Sequence, residues 1–132
     1  MSKSLIQTVN QSTQAVALDG IISLGSVLRR YGCSLRLNGN AIEIEGEGYY
    51  TIDAGVTVIP TAAGTVTVAL YANGAQIPGA IASSIGTAGS PVTLPINTTV
   101  KQNCCGGATS ITCVLTEGPG NVTNIAVRME KS

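Results

Sequence analysis

Apolar and polar residues alternate with a period of two along much of the chain. In the segment Thr65–Tyr71, Val66, Val68 and Leu70 fall on one face, whereas Thr65, Thr67 and Tyr71 fall on the other. The same alternation recurs at Leu35 and Leu37, at Ile42 and Ile44, at Ile111, Cys113 and Leu115, and at Ile125, Val127 and Met129. This period predicts half-buried β-strands, and the abundance of Val, Ile and Thr agrees with it because β-branched side chains suit a pleated surface.

Turn signals separate these segments at intervals that suit strands. Asn38-Gly39-Asn40 and Asn73-Gly74 each join two alternating segments, and they predict hairpins because Asn-Gly tolerates the positive φ of a type I′ turn. Ile21–Arg30 is the only stretch with helix-like spacing, and its glycine and β-branched residues favour a strand. Ala82–Ser90 is predicted to be a mobile surface loop. The pattern therefore indicates one all-β domain, a sandwich or a jelly roll.

Composition narrows the possible functions. The chain of 132 residues has seven basic and seven acidic residues, and charged residues make up only 11% of it. A net charge of zero argues against nucleic acid and against an anionic membrane as partners, because both attract basic proteins. The absence of His excludes Ser-His-Asp triads, Cys-His pairs and His-containing metal sites. With a mean hydropathy of +0.33, the surface is expected to be covered by copies of the chain or by a larger assembly.

Several strands carry small or apolar residues on both faces, which predicts a subunit contact. Ala69 and Tyr71 lie opposite Val66 and Val68, Val114 lies opposite Cys113, and Ala126 lies opposite Ile125 and Val127. Tyr is common at interfaces because it joins a large apolar body to a polar tip. The predicted interface residues are Tyr71, Ala69, Val114, Ala126 and Tyr50, with Tyr49 as the alternative to Tyr50.

Four segments of the chain resemble a known family, the C1q/TNF-like jelly rolls. Gly48–Val58 resembles their strand that begins G-x-Y, and Thr65–Ala80 is similar to the hairpin with an Asn-Gly turn and I-P-G in the bacterial branch. Gly20–Cys33 and the closing strand Asn121–Lys131 also resemble this branch. The branch includes the C-terminal domain of collagen-like glycoproteins on Bacillus spores and small phage and prophage proteins of Firmicutes.

The resemblance covers roughly residues 15–131 and implies a ten-stranded jelly roll that forms a tight homotrimer with a non-enzymatic role. The Gly-X-Y repeats of the spore proteins are missing here. Residues 1–14 take their place and are expected to form a short polar arm, followed by a single jelly-roll domain over 15–132.

Each group of charged or thiol side chains has a structural expectation and one or more chemical alternatives. A solvated face is the expectation for the acidic cluster, which consists of Glu43, Glu45, Glu47 and Asp53. The alternatives are a calcium site at a trimer axis and a catalytic role. Arg29 and Arg30 are expected to pair with these acids, either across strands or between subunits, the alternative being sugar or phosphate binding. The four cysteines are expected to be free thiols, and a disulfide or a thiolate metal site is the alternative. They are Cys33, Cys104, Cys105 and Cys113.

The sequence thus predicts a structural protein without enzymatic activity or cofactor. Met1–Asn10 has no apolar core and no cleavage site, and no stretch reaches about 18 apolar residues. We expect synthesis in the host cytoplasm without a signal peptide, and a final location on the virion surface. The leading hypothesis is a phage capsid decoration or fibre-head trimer that contacts other virion proteins. The alternatives are a receptor- or glycan-binding trimer at a tail tip and a spore or cell-surface layer protein.

Overall fold

The computed structural model describes residues 4–16, 19–32, 34–102, 108–118 and 120–131, and within these ranges all regular structure is β-strand. No helix that could span a membrane occurs in the described ranges. The strands are β1 (Leu5–Asn10), β2 (Gln14–Val16), β3 (Gly20–Ile21), β4 (Ser26–Tyr31), β5 (Leu35–Asn38), β6 (Ala41–Ile44), β7 (Gly48–Pro60), β8 (Gly64–Ala72), β9 (Ala75–Gly86), β10 (Val92–Gln102), β11 (Thr109–Glu117) and β12 (Gly120–Lys131).

The strands form two antiparallel sheets that pack face to face. In sheet I the order is β10-β7-β12-β1-β4, with the short β2 also paired to β12. In sheet II the order is β5-β6-β11-β8-β9, with the two-residue β3 paired to β11. Strands that are distant in sequence are neighbours, such as β1 and β12, and this arrangement is a jelly-roll sandwich. The predicted all-β fold is confirmed, with ten described strands of four or more residues and the two short ones.

The two predicted hairpins are present, but their turns differ. Asn73 and Gly74 both have positive φ, at 52° and 84°, as the predicted type I′ turn between β8 and β9 requires. In the hairpin of β5 and β6, only the first of the two central residues, Gly39, has positive φ, at 63°. A single positive φ at that position is the pattern of a type II′ turn, so the type predicted there is wrong.

The core lies between the sheets and is built from the inward side of each alternation. Its largest fully buried side chains are Tyr50, Ile6, Ile22, Leu24, Leu35, Ile42, Ile44, Ile52, Leu70, Leu94, Ile111 and Leu115. In β8 the outward-facing Thr67 and Ala69 are also buried, because β11 and β9 flank this strand on both sides. The low content of large aromatic residues is therefore offset by a core of Ile, Leu and Val.

Two sequence predictions differ from the structure. The sequence predicts a short polar arm over residues 1–14 ahead of the jelly-roll domain, but Leu5–Asn10 form β1, which lies between β12 and β4 with Ile6 fully buried. It also predicts a loop over Ala82–Ser90, but residues up to Gly86 belong to β9 and pair with β8. In both segments small or polar residues obscure the alternation, while the neighbouring strand supplies the backbone hydrogen bonds that make each a strand.

Candidate functional site

A row of small side chains crosses the outer face of sheet I. The strand register places Pro95 of β10 beside Gly55 of β7, Gly55 beside Ala126 of β12, and Ala126 beside Val9 of β1. A Cβ atom built on Gly55 would meet no other atom within 4 Å, so this residue opens directly onto solvent. The row is therefore a shallow, uncharged strip that another surface can approach closely.

A polar row runs beside the small-residue row, and its charged side chains pair with one another. Arg128 Nη1 lies 3.2 Å from Asp53 Oδ2, and Arg128 Nη2 lies 3.4 Å from Glu130 Oε1. Asn97 is the β10 partner of Asp53, and its amide reaches the other carboxylate oxygen when oriented to donate. The pairs with Asp53 join neighbouring strands and the pair with Glu130 lies within β12, so the centre of the face has hydrogen-bonded charges rather than free ones.

Three of the predicted interface residues lie on the outer face of the other sheet. Val114 of β11 is the direct partner of Ala69 of β8, and Tyr71 follows two residues along β8. The same row continues to Ile21 of β3 on one side and to Ile81 of β9 on the other. This second surface, the isoleucine row of sheet II, is apolar from end to end.

The remaining two predicted residues, Ala126 and Tyr50, lie elsewhere. Ala126 is in the small-residue row of sheet I, on the opposite side of the sandwich. Tyr50 is fully buried in the core, and its hydroxyl donates a hydrogen bond of 2.6 Å to the carbonyl oxygen of Gly46. A side chain enclosed by its own chain cannot reach a partner, so the assignment of Tyr50 to the interface is corrected. Its neighbour Tyr49, the alternative, is 55% exposed, with Lys101 Nζ 5.8 Å from the ring centroid.

The acidic cluster is divided between two arginines, neither of them predicted. Arg36 Nη2 lies 2.8 Å from Glu43 Oε1, and Arg36 Nε lies 3.6 Å from Glu45 Oε2. Hydrogen bonds from Asn38 and then from Arg36 lower the pKa of Glu43. Within the described ranges of one chain neither Arg29 nor Arg30 lies within 4 Å of a carboxylate, so the expected pairing across strands is wrong, while pairing between subunits stays a prediction.

Metal binding finds no support in the side chains that the structure describes. These contain no group of three or more His, Cys, Asp or Glu side chains that could hold an ion. Cys113 is a free, buried thiol, and its burial raises its pKa to about 12. A thiol with such a pKa stays protonated at neutral pH and is inert. The other three cysteines, Cys33, Cys104 and Cys105, lie outside the described residues.

A groove of about 310 Å³ lies between the β8–β9 hairpin and the end of β10. Its described lining consists of Ile44, Ala72, Ala75, Gln76, Ile77, Pro78, Thr99, Val100, Lys101, Gln102 and Thr109. Lys101 is the one titratable group among these lining residues. General acid–base catalysis needs a positioned donor and acceptor, and this lining offers no such pair.

Comparison with known proteins identifies the fold. No family model matches the sequence, and no curated protein is similar to it in sequence. Among solved structures, murine APRIL has a TM-score of 0.75 at 11% identity, covering 98% of this chain and 99% of that one. The globular domain of zebrafish complement 1qA has a TM-score of 0.72 at 7% identity, with 96% and 94% covered.

A third similar structure comes from a virus particle. The vertex protein P5 of PRD1 has a TM-score of 0.64 at 11% identity, covering 98% of this chain and 96% of that chain. At such identities the likeness concerns the arrangement of strands, not residues. The chain has the fold of the C1q/TNF-like jelly rolls.

Proposed function

We propose that the protein is a non-enzymatic, homotrimeric structural component of a phage particle, a capsid decoration or a fibre head. The observation that carries the proposal is the likeness of fold to the vertex protein P5 of PRD1, over nearly the whole length of both chains. The low charge supports it, since a surface built from many identical copies gains from weak mutual repulsion. The groove lined without an acid–base pair supports a role other than catalysis.

The outer face of sheet I is the surface on which copies would meet. Its small-residue row, centred on Gly55 and Ala126, lets a second backbone approach closely, and the charges beside it are already paired, so none would be buried alone. Of the five predicted interface residues, Ala126 belongs to this face. Tyr71, Ala69 and Val114 belong to sheet II, so a contact through those three would use the other side of the molecule.

Two substitutions distinguish the faces. Gly55→Arg places a long side chain in open space, so the variant should still fold. The same side chain would block the approach of a second copy. Thr112→Arg is the matched control on sheet II, since Thr112 is the direct partner of Tyr71. Light scattering coupled to size exclusion, with and without reductant, measures the solution mass against the chain mass of 13.3 kDa.

We expect three chain masses for the unmodified protein and for Thr112→Arg, and one chain mass for Gly55→Arg. The reverse result would move the contact to Tyr71, Ala69 and Val114. One chain mass for the unmodified protein would refute the trimer.

The virion role has its own test. Density-purified particles from lysed cultures should contain the protein at a fixed ratio to the capsid protein, as measured by mass spectrometry. Recovery with a spore or envelope fraction instead would favour a surface-layer protein. The glycan-binding alternative depended on a loop over Ala82–Ser90, and most of that segment is strand β9. Binding to a host cell-wall glycan would nevertheless restore it.

A further inference from the structure

Strand β4, at the edge of sheet I, is fully exposed. All six of its residues, Ser26–Tyr31, are solvent-exposed, including Val27, Leu28 and Tyr31. Its backbone pairs with β1 alone, and in the described ranges no further backbone hydrogen bond reaches it. One side of β4 therefore presents unpaired N–H and C=O groups, which another extended chain can pair with.

The other three sheet edges are protected in ways that β4 is not. Edge strand β10 contains Pro95, and edge strand β9 contains Pro78, each of which removes a backbone donor. Edge strand β5 is only four residues long. Strand β4 has six residues and no proline, and its one irregularity, a bulge at Leu28, leaves Arg29–Tyr31 in regular register with β1. This half of β4 is therefore the sheet edge best suited to accept an added strand.

The side chains of β4 indicate what kind of strand would bind. Arg29 and Arg30 are the only two adjacent cations in the sequence, and neither lies within 4 Å of a carboxylate among the described residues. Arg30 Nε is occupied, because it donates a hydrogen bond of 2.7 Å to the carbonyl oxygen of Leu35 on sheet II. Arg29 is paired in register with Gln7, and no carboxylate of the described residues lies within 4 Å of it.

We propose that β4 is a docking edge for an extended, acidic segment of a partner protein, which adds a strand to sheet I. A carboxylate opposite Arg29 satisfies the free guanidinium, while an apolar side chain two residues away covers Tyr31 on the same face. A second copy of β4 is a poor occupant, because it would bring four guanidinium groups together. This inference goes beyond the proposed function and does not depend on it.

The test uses the full chain and two labelled heptapeptides. In one, every second position carries glutamate and valine in turn, with threonine between them, so that a glutamate can face Arg29 while a valine faces Tyr31. The other has lysine in place of each glutamate. Fluorescence anisotropy measures binding, and amide hydrogen exchange measures protection of residues 26–31. We expect the acidic peptide to bind at least tenfold more tightly than the basic one and to slow exchange in β4. An acidic peptide with alternate amides methylated should not bind, because it cannot pair along the edge.

Charge reversal then locates the contact. Arg29→Glu should weaken binding of the acidic peptide by about tenfold, since an attractive cross-strand pair becomes repulsive. Arg36→Glu, on the opposite sheet, is the control and should leave binding unchanged. Equal binding of both peptides, no protection of β4, or no effect of Arg29→Glu would overturn the proposal. Tight binding of a single-stranded oligonucleotide that displaces the acidic peptide would also overturn it, and would assign the arginines to phosphate.

Discussion

Neighbouring tyrosines on β7 provide a sharp test of the packing. Tyr50 is fully buried and donates its hydroxyl hydrogen bond to Gly46 in the turn between β6 and β7, whereas Tyr49 is more than half exposed. Replacing each by Phe removes one oxygen atom from adjacent positions of one strand. The two substitutions thus differ in burial and hydrogen bonding, and hardly at all in chemistry.

The expected magnitude follows from the hydrogen bond. Tyr50→Phe removes the hydroxyl that donates to the Gly46 carbonyl, and since this hydrogen bond is part-buried we expect a loss of about 1 kcal/mol. For a domain of this length, such a loss lowers the melting temperature by about 4 °C for each kcal/mol. Tyr49→Phe should change the free energy of unfolding by no more than about 0.5 kcal/mol, as most exposed positions do.

Urea unfolding followed by circular dichroism measures both variants at one protein concentration, because the stability of an oligomer depends on concentration. The solution mass should be unchanged in Tyr50→Phe. Equal effects of the two substitutions would refute the placement of Tyr50 in the core. A fall in solution mass for Tyr50→Phe alone would return this residue to the interface at which the sequence placed it.

Three further predictions concern single buried or constrained positions. Thr8 Oγ1 is buried with no hydrogen-bond partner in the described residues, so Thr8→Val should raise the free energy of unfolding by about 1 kcal/mol in urea titrations. The folded Cys113 thiol stays protonated up to about pH 12, whereas the unfolded thiol ionises near pH 9.0. The free energy of unfolding should therefore fall as pH rises from about 9 to 12, and it should fall less steeply in Cys113→Ala. Gly118 has a φ of 83°, and a Cβ atom there would overlap the backbone of β8. Gly118→Ala should therefore lower the melting temperature more than Gly74→Ala does, because Gly74 has a similar φ of 84° but open space around it.

The sequence predicts the local part of the fold well, because its signals are local. The alternation of Val66, Val68 and Leu70 leads directly into Asn73-Gly74, so strand, face and turn can be read from one short segment. Strand β1 is different, since its inward residues are Ile6 and the polar Thr8, which break the apolar pattern. It is a strand because β12 and β4 pair with it, and that partnership spans the whole chain.

The candidate site was less predictable for the same reason. Pro95, Gly55 and Val9 are isolated small residues in the sequence, and only the pairing of β7 with both β10 and β12 aligns them with Ala126. Which face of a strand lies outward can be predicted from its alternation, but which strands are neighbours depends on topology. For this reason the sequence grouped Ala126 with Tyr71, although they lie on opposite sides of the sandwich.

The few charges of the chain are arranged so that large areas of both sheets stay uncharged. Arg36 lies within 4 Å of two carboxylates, those of Glu43 and Glu45, and Arg128 lies within 4 Å of two others, those of Asp53 and Glu130. If copies cover sheet I, the isoleucine row of sheet II remains on the outside, together with Ile85, which is 82% exposed. A chain with zero net charge has little electrostatic repulsion to keep such apolar rows apart. The proposed trimer alone would therefore leave this apolar row exposed, and the proposed contact with other proteins of a particle would cover it.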